Sequence, residues 1–234
     1  MPGTGGRLPA YQVLADDLRG QIAAGALRPG DRLPSEPQLC ARSGVSRSTV
    51  REALRLLASE QLIVTTRGVS GGSFVARPTA VGLARSMTGA VQLLLATPAV
   101  GMVDFLEARE IVEVPGAALA AVRRTEDDLA AMRAALYDPD QDPARVRLQR
   151  YWDFHRALLG AAHNGLLELI MGPCYGSHVV DTEAPLRARL LSARSHREIL
   201  ARVQERDPAG ASAALRAHLA DMRGIFAQHE LVGP

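Results

Sequence analysis

Two arginines in the N-terminal third of the chain have the type and spacing to read DNA bases. Arg47 and Arg51 stand four positions apart, which is about one turn of an α-helix. A guanidinium can donate two hydrogen bonds to O6 and N7 of guanine, the most frequent base-specific protein contact. Ser48 and Thr49 lie between them and could reach phosphate. We therefore predict a DNA-contacting helix face, with a solvated charged face as the alternative.

The segment that must position these arginines has the pattern of a helix-turn-helix. Ser35 can cap a first helix, Gly44 allows a tight turn, and Ser46 can cap a second helix. That second helix should continue to about Glu60, with apolar residues at helical spacing at Val50, Leu54 and Leu57. In a helix-turn-helix, the second helix enters the major groove with its N-terminal residues at the base edges.

A β-hairpin is predicted directly after this second helix. Residues 62–66 are β-prone, the glycine-rich run 67–72 indicates a turn, and residues 73–75 can return as a second strand. A hairpin in this place is the wing of a winged helix. We therefore expect a winged helix-turn-helix DNA-binding domain over residues 7–77.

Residues 7–77 closely resemble the DNA-binding domain of the GntR family of bacterial transcription regulators. The resemblance rests on the segments LRPGDRLPSE and GVSRSTVREALRLL, in that order and followed by the wing. It implies that double-stranded DNA is the partner and that Arg67 and Gly68 of the wing contact the minor groove. We expect Ser35 to contact DNA as well. Pro37 departs from the family, which often has a DNA-contacting arginine there, so the usual operator sequence is not carried over.

The charge of the chain agrees with this assignment but does not carry it. Residues 1–77 contain ten Arg and six acidic residues, a net charge of +4, whereas the whole chain has +2. Attraction to phosphate requires the positive end to be the DNA-binding end. All 27 basic residues are Arg, which we attribute to the codon usage of a GC-rich genome because Ala and Gly are also abundant.

Length and composition bound the remaining possibilities. A chain of 234 residues suits two domains, each able to bury a core. We expect no membrane span, because no apolar run is long enough, and no secretory signal peptide, because the N-terminus lacks an apolar core. Cys40 and Cys174 have no cysteine partner at metal-ligand spacing. The cytoplasm is the expected compartment.

From residue 78 onward the pattern is almost wholly helical, and we assign residues 78–229 to a second domain, which we expect to bind an effector and to form the dimer. The predicted helices are 80–96, 98–122, 126–136, 143–161, 165–180, 184–192, 195–206 and 208–229. Thr79, Thr125 and Asp207 are predicted caps, and Pro115 should kink or break its helix. The expected fold class is therefore mainly α, with the wing as the only small β-hairpin.

This second domain resembles the FCD ligand-binding domain of the FadR subfamily of GntR regulators. The resemblance covers about residues 80–228 and rests on EAREIVE, FHRALLGAAHN and SHREILARVQERDPAGASAALRAHL. It implies an antiparallel all-helical bundle. Many members bind a divalent metal through one Asp or Asn and three His, and the three correspond to His155, His196 and His218 here. Neutral imidazoles on separate helices facing one cavity suit Zn²⁺ or Ni²⁺.

The fourth ligand position departs from the family. The family's Asp or Asn lies four residues before the first histidine, and this chain has Tyr151 there. A phenol, with a pKa near 10, is a poor ligand at neutral pH. Asp153 cannot replace it, because it lies about 200° around the helix from His155. A three-histidine site completed by water or effector and a metal-free pocket lined by histidines both stay open.

Two further positions are candidates for effector binding. Arg109 and Glu113 form the family's R-x-x-x-E pattern. On a helix surface this ion pair would add a few tenths of a kcal/mol, roughly, whereas in a pocket Arg109 would grip an effector carboxylate. Asn164 lines the pocket or ends a helix in a left-handed turn, and we favour the helix end. Trp152 is predicted to be a core residue.

Together these observations predict a ligand-responsive transcription factor, a repressor that binds a palindromic operator as a homodimer. Its effector is a small carboxylate or other metabolite, either on the metal or, as an acyl-CoA, in a metal-free pocket. A metal-dependent hydrolase is a second class, although no well-placed general base is seen. A constitutive DNA-binding protein with a purely structural helical domain is a third.

Overall fold

The structure is a computed structural model that describes residues 8–68, 71–97, 99–175 and 186–230, with side chains up to residue 225. The chain divides into two compact units, Met1–Pro78 and Thr79–Pro234. Within the described ranges, no helix combines the length and apolar character needed to cross a membrane.

The N-terminal unit is a winged helix-turn-helix, as predicted. Its elements are α1 (Ala10–Ala23), α2 (Glu36–Ser43), α3 (Arg47–Ser59), β1 (Ile63–Thr66) and β2 (Gly72–Val75). The two strands pair antiparallel, with Ile63 opposite Val75. A compact apolar core holds the three helices and the hairpin together, and it includes Leu18, Leu39, Val50, Ala53, Leu57 and Ile63.

The turn between α2 and α3 follows the predicted signals. Gly44 has a φ of 66°, in the left-handed region that favours glycine. The Ser46 hydroxyl accepts the backbone N–H of Thr49 at 3.2 Å and so caps α3. At the start of α2, Gln38 Oε1 accepts the backbone N–H of Ser35 at 2.8 Å. These contacts fix the residues at which α2 and the recognition helix α3 begin.

The regular secondary structure of the C-terminal unit is entirely helical in its described residues. Its helices are α4 (Ala80–Leu95), α5 (Met102–Arg123), α6 (Glu126–Ala134), α7 (Ala144–Gly160), α8 (Gly165–Met171), α9 (Leu186–Gln204) and α10 (Pro208–Glu230). A 3₁₀ turn, Gly172–Cys174, follows α8. The helix α10 packs along both α5 and α9. The shared core includes Leu106, Ala117, Leu129, Phe154, Ile199 and Leu215.

The predicted helix caps of this unit are confirmed. Thr79 caps α4 and Thr125 caps α6 through hydrogen bonds from backbone N–H groups to their hydroxyls. Asp207 caps α10, because its carboxylate accepts the N–H of Gly210 at 2.8 Å. Capping groups satisfy backbone donors that have no partner inside the helix, which is why these short-range signals locate helix starts well.

The predicted break between residues 192 and 195 is wrong, because α9 is continuous from Leu186 to Gln204. The hydroxyl of Ser195 donates to the carbonyl of Leu191 at 2.8 Å, so this serine is satisfied inside the helix and does not end it. The predicted helix 165–180 ends early, at Met171, where Pro173 disfavours further α-helix. Residues 176–180 of that prediction, and residues 184–185 of the helix predicted over 184–192, lie outside the described residues.

Pro115 does not break α5, which runs through it without interruption. A proline removes the N–H that would bond to the carbonyl four residues earlier, here that of Ile111. Ile111 is 74% exposed, so this carbonyl lies on the outward side of the helix, away from the core. On the inner side of the same turn, the carbonyl of Val114 accepts the hydroxyl of Ser212 at 2.9 Å. The cost of the proline is therefore confined to the solvent side of the helix.

Candidate functional site

The N-terminal half of α3 presents the predicted DNA-contacting residues at the surface. Arg47, Ser48 and Arg51 are exposed, and Thr49 is half-buried. The hydroxyls of Ser48 and Thr49 each lie 2.8 Å from the hydroxyl of Ser46, at the very start of the helix. Backbone N–H groups without helical partners and the positive end of the helix dipole favour phosphate at such a place.

Arg51 is steadied by the first helix of the motif. Its Nε lies 3.0 Å from the carboxylate of Glu36, while 61% of the Arg51 side chain stays exposed. An exposed ion pair of this kind adds little stability, but it restricts the direction of the guanidinium. Sequence reasoning missed Glu36, because only the folding of α2 against α3 brings the two side chains together. Pro37 is exposed in the same turn and offers no side-chain donor to DNA.

The wing is attached to the LRPGDRLPSE segment. The guanidinium of Arg32 donates to the carbonyl of Gly71 and lies 5.9 Å from the ring centre of Phe74. The N–H of Leu33 donates to the carbonyl of Ser73 at 2.8 Å. The segment therefore adds a short third pairing beside the hairpin. Arg32 is a second residue that sequence reasoning missed, since nothing in its spacing indicates the wing as its partner.

The tip of the wing begins with Arg67 and Gly68, and both are exposed. Gly68 has a φ of 112°, which favours glycine, and its carbonyl accepts the N–H of Gly71 at 2.9 Å. Residues 69–70 lie outside the described ranges. Contact of Arg67 and Gly68 with the minor groove stays a prediction.

The three predicted histidines come together in the interior of the C-terminal unit. His155 on α7, His196 on α9 and His218 on α10 are each at most 1% exposed. One ring nitrogen of each lies within 4.8 Å of the others, and the Nε2 atoms of His155 and His196 are 3.2 Å apart. Nitrogens that bind a tetrahedral Zn²⁺ are about 3.4 Å apart. A small inward movement of the histidine side chains would therefore bring their nitrogens to the spacing that the metal needs.

The histidines are held neutral. Burial lowers the pKa of His155, His196 and His218 well below the usual value, and the positive charge of Arg109 acts in the same direction. A neutral imidazole keeps a lone pair on one ring nitrogen, which is the form that binds a metal. The cluster is thus in the protonation state that a metal requires at neutral pH.

Polar groups lie behind two of the rings. The hydroxyl of Ser195 donates to the carbonyl of Leu191 and lies 2.8 Å from Nδ1 of His218, so it accepts the hydrogen from Nδ1. That leaves the Nε2 lone pair of His218 available. Nδ1 of His155 lies 2.8 Å from a carboxylate oxygen of Glu113, although its N–H does not point along that line. Carboxylate and hydroxyl partners behind histidine ligands are typical of metal sites.

The donor set fits a divalent metal, with one position filled unusually. The hydroxyl of Tyr151 lies 3.4 Å from Nε2 of His218 and accepts a hydrogen bond of 2.8 Å from Arg109. Burial raises the pKa of Tyr151 despite the opposing charge of Arg109, so the group is a neutral phenol. Asp153 is directed away from the cluster, as predicted, and pairs with Arg156 at 2.6 Å.

Arg109 and Glu113 form a buried ion pair, so the helix-surface interpretation is wrong. Their side chains are 1% and 0% exposed because this side of α5 faces the bundle interior, and Nε lies 2.8 Å from the carboxylate. Tyr175 donates to the same carboxylate at 3.1 Å. The guanidinium also lies 5.4 Å from the ring of Trp152, which is buried in the core as predicted. Glu113 and Tyr151 engage three of its five N–H groups.

Asn164 begins a helix and does not end one. Its side-chain oxygen accepts the N–H of Leu166 at 3.2 Å and caps α8. The left-handed residue is its neighbour His163, with a φ of 47°. The favoured prediction of a left-handed helix end at Asn164 is therefore wrong by one residue, because the turn before α8 takes its positive φ at the preceding position. A role of Asn164 in effector binding stays a prediction.

Two family models match the chain, one over the DNA-contacting unit and one over the unit that contains the histidine cluster. The model for bacterial regulatory proteins of the gntR family matches residues 10–75. The model for the FCD domain matches residues 104–221, about half of the chain. The first range includes the helix-turn-helix and the wing, and the second includes all three histidines of the cluster.

Individual relatives agree with the family matches. The HTH-type transcriptional regulator LutR of Bacillus subtilis is 31% identical over 88% of this chain and 95% of its own length. The mannosyl-D-glycerate transport/metabolism system repressor MngR of Escherichia coli is 47% identical over 30% of this chain and only 28% of its own length. The solved structure of Streptococcus agalactiae GntR has a TM-score of 0.56 and 25% identity, covering 91% of this chain and 98% of that one.

Both predicted resemblances are therefore confirmed, one for each unit. The relatives with these names are transcriptional regulators and repressors, which agrees with the exposed recognition helix and wing described above. The chain belongs to the gntR family of bacterial regulatory proteins, and its C-terminal unit contains an FCD domain.

Proposed function

We propose that this transcriptional regulator changes its affinity for operator DNA when a small carboxylate binds to a divalent metal held in the C-terminal unit. The observation that carries the proposal is the convergence of His155, His196 and His218 in the interior, all neutral and within 4.8 Å of one another. Zn²⁺ and Ni²⁺ are the metals that such a nitrogen donor set favours.

The charge of the cluster supports an anionic effector. The positive Arg109 and the negative Glu113 balance each other, and the three histidines and Tyr151 are neutral. A divalent ion would therefore add two uncompensated positive charges to a buried site, which is costly. Where the family has an Asp to supply one negative charge, this chain has the uncharged Tyr151. A carboxylate that binds the metal would supply the missing charge.

The DNA-binding side follows from symmetry. A homodimer presents two copies of α3, so the expected operator is a palindrome with half-sites about one helical turn of DNA apart. Arg47 and Arg51 would read bases, and Ser35, Ser48, Thr49, Arg67 and Gly68 would contact the backbone or minor groove. Repression is the expected direction, because a bound regulator of this kind blocks transcription until the effector weakens its hold on DNA.

For this switch to work, the effector must bind the DNA-competent and the DNA-incompetent arrangements of the protein with different affinities. A ligand that binds the DNA-competent and the DNA-incompetent arrangements equally well shifts nothing. Arg109 and Asn164 are the residues we expect near the effector, with Arg109 using the N–H groups that Glu113 and Tyr151 leave open.

One contact favours a second candidate, a metal-free pocket for an acyl-CoA-type ligand. The phenol of Tyr151 can donate its hydrogen to Nε2 of His218, which satisfies that nitrogen without any metal. In such a protein the histidines would be polar lining, and a bulkier ligand would act on the fold by displacing side chains.

Operator binding under defined metal conditions separates these functions. An operator is selected from a random-sequence library, and its affinity is measured with metal-loaded and with chelator-treated protein against small carboxylates and acyl-CoAs. We expect carboxylates to change the affinity only in the metal-loaded protein. A response to acyl-CoA that survives chelation would establish the second candidate, and an affinity that no metabolite changes would indicate a constitutive DNA-binding protein.

A further inference from the structure

We propose that the outward face of α5 is the surface on which a second copy of this chain docks. The inference rests on the homodimer of the proposed function and names the surface that forms it. The outward face of α5 is defined here by Ala108, Ile111, Pro115 and Val122, with Glu107 at its edge. Docking of a second copy on this face requires neither the metal nor the effector.

The outward face of α5 is apolar, although it is exposed. Ile111 is 74% exposed and Val122 is 59% exposed, and Ala108 and Pro115 are exposed between or beside them. The four residues recur at three, four and seven positions, so they share one side of the helix. Exposed bulky apolar side chains in a continuous stripe mark an interaction surface more often than a solvated one. Small neighbours such as Ala108 allow a second helix to approach closely.

The edge of this face carries opposite charges that the chain does not pair tightly. A groove of about 380 Å³ separates α5 from α10, and Glu107, Glu110, Arg216 and Arg223 line it. Arg223 pairs with Glu110 at 3.0 Å, but Arg216 reaches Glu110 only at 4.0 Å and is 59% exposed. Among the described residues, Glu107 has no ion-pair partner. One carboxylate and one guanidinium are therefore left to bind something outside the chain.

This combination selects a second copy as the occupant. In a two-fold interface, the same patch faces itself, so every group must find its complement on an identical surface. The outward face of α5 meets this condition, since Glu107 can pair with the partner's Arg216 while Arg216 pairs with the partner's Glu107. The apolar centre then packs on itself, with charges at the rim, which is the usual arrangement of a protein interface.

A second exposed apolar helix of this unit, α4, lacks that property. On α4, Met87, Leu93 and Leu94 are 47%, 72% and 51% exposed. The only charged residue of α4 is Arg85, with no acidic residue to complement it on a second copy. A symmetric pair through α4 would therefore have no complementary charges at its rim, so it would be less specific than a pair through the outward face of α5.

The position of this surface connects it to the buried cluster. Arg109 and Ile111 are two residues apart on α5, so they project to opposite sides of the same helix. Arg109 is 1% exposed inside the cluster and Ile111 is 74% exposed on the outward face. A shift of α5 that follows effector binding would move the surface on which the second copy sits. Effector binding and the arrangement of the dimer would thereby act on one element.

Sedimentation velocity of the full-length protein over a range of concentrations tests the proposal. We expect the wild type to be a dimer and Ile111→Asp to dissociate it, with a dissociation constant raised about 100-fold or more, because a buried carboxylate has no partner there. Leu93→Asp places the same charge on α4 and serves as the matched control, which should stay dimeric. Circular dichroism and thermal unfolding of both variants establish that they fold.

Charge reversal supplies an independent test on the same surface. Glu107→Arg and Arg216→Glu should each weaken the dimer by about tenfold, and the double reversal should restore it, because the rim pairs are re-formed with opposite polarity. A wild type that is monomeric would overturn the homodimer itself. A dimeric wild type that survives Ile111→Asp and both single reversals, or that Leu93→Asp dissociates in their place, would overturn the assignment to α5.

Discussion

The hydroxyl oxygen of Tyr151 lies 3.4 Å from Nε2 of His218. This nitrogen is the one that a metal would need as its ligand. The hydroxyl of Ser195 lies 2.8 Å from the other ring nitrogen of His218, Nδ1, and accepts its hydrogen. The lone pair of the ring is therefore on Nε2. Arg109 donates to the Tyr151 oxygen at 2.8 Å, which leaves the phenol hydrogen free to be donated to His218. A metal ion bound at this cluster would therefore compete with the phenol for one nitrogen.

Replacing the phenol should strengthen metal binding. Tyr151→Asp removes the competing O–H and adds a carboxylate ligand with a negative charge, so we expect the metal dissociation constant to fall at least about tenfold. Tyr151→Phe removes the competitor alone and should give a smaller gain. Competition with a chromophoric chelator measures both. An Asp variant that binds Zn²⁺ no more tightly than the wild type would show that residue 151 does not face the metal.

Ser195 should matter to metal affinity although it touches no metal. Ser195→Ala removes the acceptor that fixes the Nδ1 hydrogen of His218, and loss of such a partner typically weakens metal affinity about 10-fold to 100-fold. Ser212→Ala is the matched control, since Ser212 also donates to a helix carbonyl but contacts no histidine. Equal Zn²⁺ affinity of the two variants would contradict the orienting role of Ser195.

The two arginines of α3 should be needed for specific DNA binding and not for folding. Arg47→Ala and Arg51→Ala should each cost about 1–3 kcal/mol of operator binding and together abolish specificity. The thermal unfolding temperature should barely move, because the Arg51–Glu36 pair is exposed. Arg85→Ala removes the same charge from the C-terminal unit as a control. Unchanged operator affinity in both α3 variants would refute the base contacts.

The histidine cluster should make the metal-free protein sensitive to mild acid. Because the folded-state pKa values of the three histidines are depressed, the unfolded chain binds protons near pH 6.5 that the folded chain does not. The stabilising contribution is therefore complete above pH 6.5 and is lost as the pH falls toward the folded-state values. Three such sites give a slope approaching about 4 kcal/mol per pH unit.

Denaturant unfolding of chelator-treated protein between pH 7 and pH 5.5, roughly, measures this slope. His218→Gln should remove about one third of it. A wild-type free energy of unfolding that is flat across this range would mean that the histidines are not buried in neutral form.

Short-range signals explain why much of the fold could be predicted. Ser46, Thr79 and Thr125 cap helices within three residues of themselves, and the wing follows from one glycine-rich run. Tyr151 could be placed beside the cluster because it lies one helical turn before His155. The predicted break between residues 192 and 195 fails at the same level, because the Ser195 hydroxyl bonds back to a carbonyl of its own helix.

Contacts between elements could not be predicted in the same way. The spacing of Arg109 and Glu113 is the same for a surface pair and a buried pair, and only the packing of α7 and α10 against α5 decides between them. Ser195 meets His218 across 23 positions of sequence, and Glu36 meets Arg51 across 15. Nothing local in either member of these pairs identifies the other.

The metal content of the untagged protein, purified without chelator and measured by mass spectrometry, tests the central claim most directly. We predict about one Zn or Ni per chain in the wild type and almost none in His196→Gln, which keeps a polar group at that position but removes one ligand. No bound metal in the wild type, even after incubation with excess Zn²⁺ or Ni²⁺, would contradict a metal-dependent switch.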